Sequence, residues 1–199
     1  AEYRTLLLDT ARHMQARGDF KDGRVVLEQL LDRWRSTLGR DHEDTLWAAA
    51  ILSCTLLTVG EMHAALELSK DTKERAERVL GMDACPSVWA ASSYVGARFS
   101  AGDPDLLVDI PSTIALAQDA VDRARRVLGP DDWITLWTAA GVTYARAYLG
   151  DQESTELGQE TVDRATRVLG PDHWVTLMAA CWLAFALVRH GDPMSARRL

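Results

Sequence analysis

The 199-residue sequence predicts an all-α fold: a right-handed superhelical solenoid of antiparallel helix pairs, about nine helices plus the start of a tenth. Three observations predict it. A turn motif recurs at Leu38–Leu46 (LGRDHEDTL), Leu80–Val88 (LGMDACPSV), Leu128–Leu136 (LGPDDWITL) and Leu169–Leu177 (LGPDHWVTL), at intervals of 42, 48 and 41 residues. A second marker, glycine followed by an acid, keeps the same beat at Gly18-Asp19, Gly60-Glu61, Gly102-Asp103, Gly150-Asp151 and Gly191-Asp192. Between markers, apolar residues fall on one helical face, as Leu46, Ala49, Leu52 and Leu56 do, and nothing alternates with period two.

Each marker ends a helix. In Leu-Gly, the glycine can turn left-handed just past the last turn. Asp41, Asp83, Asp131 and Asp172 follow it, where a carboxylate is expected to cap the next helix, and His42 and His173, one place further on in the same repeat slot, read as turn or cap residues. The Gly-acid pair is a second, tighter turn. The predicted helices are 2–17, 20–37, 43–58, 61–79, 86–100, 112–127, 132–149, 153–168 and 173–190. The repeats are about 1–40, 41–82, 83–130, 131–171 and an incomplete 172–199, in a single array. The longer third interval places an insertion within 103–113. The sequence starts inside a helix without Met and stops in the first turns of another. A piece of a larger protein is therefore expected.

Composition excludes several classes. With 47% hydrophobic and 26% charged residues, the chain is globular rather than disordered. A net charge of −7 argues against nucleic acid as partner. No apolar run reaches the roughly 18 residues needed to span a bilayer, and no membrane association is expected. Cys54, Cys85 and Cys181 are an odd number without a CxxC pair, which fits free thiols and a cytoplasmic setting.

These repeats resemble the tetratricopeptide repeat (TPR) in its long, kinesin-light-chain-like form, where an LGPDHPDTL turn precedes each first helix. Residues 169–177 are the nearest copy, and the resemblance covers essentially the whole chain. It implies a non-enzymatic protein-interaction module, a regulatory sensor or scaffold such as bacterial signalling proteins carry. The matching small positions are Ala11, Ser53 and Ala184 on first helices and Ala65 and Ala196 on second helices. The sequence departs from the pattern in two ways. The paired Asn that grip a peptide in light-chain repeats are replaced by Ala50-Ile51, Ser92-Ser93, Ala140-Gly141 and Cys181-Trp182. A large apolar residue late in the first helix is replaced by Arg98 and Arg146. For these two arginines, either heads that snorkel to solvent or a network with the acidic insertion is expected, and snorkelling is the favoured reading.

In such arrays the first helices line the concave face. Counting back from each Gly-acid turn gives a stripe containing Arg12; Trp47; Trp89 and Phe99; Trp137, Tyr144 and Tyr148; and Phe185 and Arg189. Trp47, Trp89 and Trp137 form a column. These nine residues are the candidate ligand-binding set, because aromatic side chains bury large area at low entropic cost. The expected ligand is a protein or peptide, as a helix or an extended segment. The column can equally be inter-repeat core. The groove can equally be filled by a neighbouring domain of the same protein, and a homo-oligomer through the exposed C-terminal helix is a further expectation.

A second ladder, Arg33, Arg75, Arg123 and Arg164, lies in register on the second helices, each after an acid. It reads as dipole complementation and cross-repeat pairing. No cofactor, metal site or catalytic group is expected. The five histidines have no metal spacing, there is no GxSxG, P-loop or GxGxxG, and Cys54 and Cys181 lack a neighbouring base.

Overall fold

The computed structural model describes residues 2–102 and 110–197, and all regular structure among them is helical. The chain divides into two compact units, Ala1–Gly102 and Asp103–Leu199. The first holds α1 (Glu2–Arg17), α2 (Phe20–Thr37), α3 (Glu43–Thr58), α4 (Met62–Leu80) and α5 (Cys85–Ser100). Each of these helices packs on its successor, and α3 also packs on α1 and α5. The second holds α6 (Ile110–Val127), α7 (Trp133–Tyr148), α8 (Ser154–Leu169), α9 (Trp174–Arg189) and α10 (Pro193–Ala196). There α7 packs on α6, α8 and α9, and α10 packs on α9. Within each unit, connections of two to five residues make successive helices antiparallel. The insertion expected at 103–113 lies largely outside the described residues.

Four of the Gly-acid pairs end their odd-numbered helices as Schellman caps. At Gly150, φ is +82°; its N–H donates to Ala147 O at 3.1 Å and the Asp151 N–H to Arg146 O at 2.9 Å. The same two bonds recur at Gly18, Gly60 and Gly191. The other turn closes differently. Gly170 sits at φ +95°, and its carbonyl accepts from Thr176 Oγ1, inside the next helix, at 2.8 Å. Ser87 Oγ makes the equivalent bond to Gly81 O at 2.7 Å. This hydroxyl ties the odd-numbered helix to the end of the helix before it.

The capping residue is not the expected aspartate but the residue after it. His42 Nδ1 accepts from the Asp44 N–H at 3.1 Å, Asp132 Oδ1 from Ile134 at 2.9 Å, and His173 Nδ1 from Val175 at 3.2 Å. These caps have extended backbone, with ψ of 136–139°. The motif's aspartate sits one residue too early and faces outward. Asp41 instead accepts from Arg75 at 2.9 Å and Arg78 at 3.1 Å, and Asp131 accepts from Arg164 at 3.1 Å.

The odd and even helices bury different fractions of themselves. α3 is buried from Thr45 to Leu56 except for Trp47, because it packs against four helices. α4 buries one stripe, Ala65, Ser69, Thr72 and Ala76. Small residues there let helices approach closely. At Gly158 on α8 an added Cβ would lie 2.8 Å from Thr143 Cγ2 and 3.0 Å from Leu183 Cδ1. Arg146 does not snorkel: its side chain is 14% exposed and pairs with Glu153 at 3.0 Å and Asp151 at 3.5 Å. Among the described residues, the acids that hold it belong to its own Gly-acid turn; the acids of the insertion lie outside them.

Candidate functional site

The sequence-predicted residues fall into separate clusters. In the first unit, Arg12 of α1 places its guanidinium carbon 5.5 Å from the Trp47 ring and 5.8 Å from the Trp89 ring. The two indoles meet edge-to-face with centroids 5.4 Å apart. Trp89 is buried and Trp47 half-buried. Arg12 therefore roofs two stacked repeats with a cation–π contact while its side chain stays 39% exposed. Beneath it Gln15 is fully buried, and its Nε2 donates to Ile51 O at 2.9 Å and to Thr55 Oγ1. Phe99 of α5 is half-buried.

In the second unit, Trp137 is buried on α7 at 4% exposure. Its Nε1 has no hydrogen-bond partner among the described residues. Seven residues on, on the same face, Tyr144 contacts Tyr148 at 6.2 Å and Phe185 at 5.1 Å between ring centroids. Tyr148 is 46% exposed, and Arg189 on α9 is exposed. Sequence reasoning left out one member of this cluster, Trp182, whose ring lies 6.2 Å from Tyr144. Its signal was available. Trp182 precedes Phe185 by three and Arg189 by seven, the spacing of one helical face. The cluster forms because α7 and α9 pack side by side, which brings the late residues of one against the late residues of the other. A second omission, Trp133 against Trp174 at 5.8 Å, occupies the same turn in two repeats, LGPDDW and LGPDHW. It joins the starts of α7 and α9.

The electrostatics of these clusters are simple. Among the described residues, no group of three or more His, Cys, Asp or Glu could hold a metal ion. Burial alone pushes the Cys54 thiol far above its ordinary value, so it is a poor nucleophile. The hydrogen bond from Arg75, aided by Arg78, holds Asp41 below the usual carboxylate range. No helix among the described residues is long and apolar enough to cross a membrane.

Comparison with known proteins agrees with this geometry. Residues 3–78 match the tetratricopeptide repeat family model. No curated protein matches the chain in sequence. Two solved structures similar to it are the nearly identical TPR-like repeats of a protein from Podosopora anserina assigned as a kinesin light chain, and a single-substitution variant of them. The variant has a TM-score of 0.64 at 19% identity, over 98% of this chain and 89% of that one. The other has 0.63 at 19%, over 98% and 90%. At that identity the likeness shows the fold. TPR and TPR-like folds generally mediate protein–protein interaction and are generally non-catalytic. Residues 3–78 of this chain match the tetratricopeptide-repeat family model, and the helix pairs beyond them carry the same TPR-like fold.

Proposed function

We propose that the protein is a non-enzymatic interaction module that takes a peptide or helix of a protein partner on the face of its odd-numbered helices. The observation that carries the proposal is the four-ring cluster of Tyr144, Tyr148, Trp182 and Phe185. It stays partly open to solvent while the neighbouring Trp137 is buried. A core aromatic is expected to be covered, whereas an anchor for a ligand must present its ring edges. Arg12 over Trp47 and Trp89 is the corresponding open position in the first unit. The proposal includes the single five-repeat array and a regulatory or scaffolding role.

Selecting a displayed random-peptide library on the whole chain tests this. Enriched peptides should bind about 10–30-fold more weakly to a Tyr144→Ala/Tyr148→Ala variant of unchanged helical content, the range of a hot-spot loss. Equal binding to both proteins would place recognition elsewhere.

A second reading has its own observation. On α9, Leu177 is 57% and Val188 56% exposed, with exposed Cys181 between them on the same face. That stripe suits self-association or a neighbouring domain. Sedimentation at tens of micromolar should then show concentration-dependent mass that Leu177→Glu/Val188→Glu abolishes.

A further inference from the structure

The face built by α7 and α9 offers donors and rings but few acceptors. Its polar groups are the phenols of Tyr144 and Tyr148, the indole N–H of Trp182 and the guanidinium of Arg189. None of these four side chains has a hydrogen-bond or ion-pair partner among the described residues. The buried Trp137 Nε1 lacks an acceptor as well. The stripe carries no carboxylate and no side-chain amide; the rest of it is Ala140, Ala147, Met178, Cys181 and Val188. Arg189 is thus an exposed cation without an acidic partner among the described residues, in a chain of net charge −7.

Resting on the peptide-binding reading above, we propose that this face recognises a proline-rich segment in polyproline II conformation that carries an acidic residue beyond its prolines. Three arguments select that occupant. The first is hydrogen bonding. A helical ligand has satisfied its own backbone and has no use for unpaired donors. A β-extended ligand brings its own N–H groups, for which this stripe has no carbonyl or carboxylate. A proline run has carbonyl acceptors and no N–H. The second is spacing. Polyproline II advances about 3.1 Å per residue, so two residues cover about 6.2 Å. The Tyr144 and Tyr148 rings are 6.2 Å apart, so rings one helical turn apart meet every second residue of the ligand. The third is charge. Arg189 lies one turn beyond Phe185, at the edge of the rings, where a ligand carboxylate would pair with it.

Fluorescence anisotropy of labelled peptides on the whole chain tests the proposal. The probe is a proline decamer ending in two aspartates. Beside it run the same decamer ending in two glutamines and an amphipathic helical peptide of equal length and charge. The expected result is saturable binding of the acid-ended decamer. Removing one hydroxyl by Tyr148→Phe weakens it about 3–10-fold, the range of one hydrogen bond. Tyr148→Ala weakens it further. The glutamine-ended decamer binds more weakly and without salt dependence, and Arg189→Gln removes the difference between the two decamers. Binding of the helical peptide through Tyr144 and Tyr148, with none of the decamer, overturns this proposal and leaves the peptide-binding reading standing. If neither peptide binds, or if decamer binding ignores both Tyr148 variants, the face is not the recognition surface and both fail.

Discussion

Asp41, in the turn before α3, accepts a hydrogen bond from Arg75, on α4, across 34 positions of sequence. Arg78 joins the same carboxylate one turn further along α4. Asp131 and Arg164 repeat the relationship in the second unit. The motif's aspartate is thus a clamp onto the second helix of its own pair rather than a cap on the first. Because the Asp41 carboxyl is held below its usual range, its contribution is fully present above the ordinary carboxylate value. It is lost as pH falls through the lower, folded one. Asp41→Asn should lower the urea midpoint slightly at pH 7 in low salt. The pair is exposed and screened, so the difference should vanish in 1 M salt. An effect that persists there would mean that the aspartate acts through packing.

Ala84 stands where three other repeats have a capping side chain. Its backbone has the same extended shape, φ −71° and ψ 141°, as His42, Asp132 and His173, yet no side-chain bond caps α5. Ala84→Asp should let a carboxylate accept from the helix's first free N–H groups, close to the positive end of its dipole. Stabilisation of about 1 kcal/mol is expected. Thermal melting against an Ala84→Glu control separates the two causes. The longer side chain adds the same charge without cap geometry, so an equal gain would assign the effect to charge alone.

Helix positions and turn types were legible because glycine and periodicity are local properties. Gly150 and Gly170 punctuate the chain whatever surrounds them, and the expected boundaries match the helices to within about two residues. Partnerships were less legible. That Asp41 reaches Arg75 rather than the start of α3 depends on how far α4 lies from the turn. That Arg146 pairs with Asp151 and Glu153 depends on the curl of the Schellman cap, which brings those acids back over α7. The stripe count located Tyr144, Tyr148 and Phe185 on one face; spacing within α9 also puts Trp182 near that face, but not its ring against Tyr144 of another helix. Periodicity assigns a side to each residue, whereas side-chain tilt decides which rings meet.

Two glycines inside helices should respond in opposite directions to alanine. In an open helix the exchange stabilises by about 0.5–1 kcal/mol, because glycine has more backbone freedom to lose. A Cβ added at Gly141 on α7 would meet only Trp182 Cζ3, at 3.8 Å, an ordinary contact, so Gly141→Ala should show that gain. A Cβ added at Gly158 on α8 would lie 2.8–3.3 Å from Thr143 and from the Cδ1 and Cβ of Leu183. Gly158→Ala must push α8 away from α7 and α9, and overpacking of this kind costs about 1–3 kcal/mol. Chemical denaturation of both variants checks the signs. A stabilised Gly158→Ala would show that the helices separate more freely than their packing implies.

Cys54 and Cys181 lie on the same kind of stripe but in opposite environments. Cys181 is exposed, and Cys54 is wholly buried with its thiol pushed far above the ordinary range by desolvation. A maleimide should therefore label Cys181 within minutes under native conditions and reach Cys54 only as the first unit opens. The same burial sets a sign for alkaline stability. In the unfolded chain the thiol loses its proton near pH ~8.5, while the folded chain keeps it. Above that pH the unfolded state binds fewer protons, so stability falls as pH rises, by at most about 1.4 kcal/mol per pH unit. Cys54→Ala starts less stable because it removes a buried side chain, but its stability should decline less steeply between pH 8 and 10. Urea unfolding of both proteins across that range measures the two slopes. Parallel slopes would mean that the Cys54 thiol ionises as readily in the fold as in the open chain, against its complete burial.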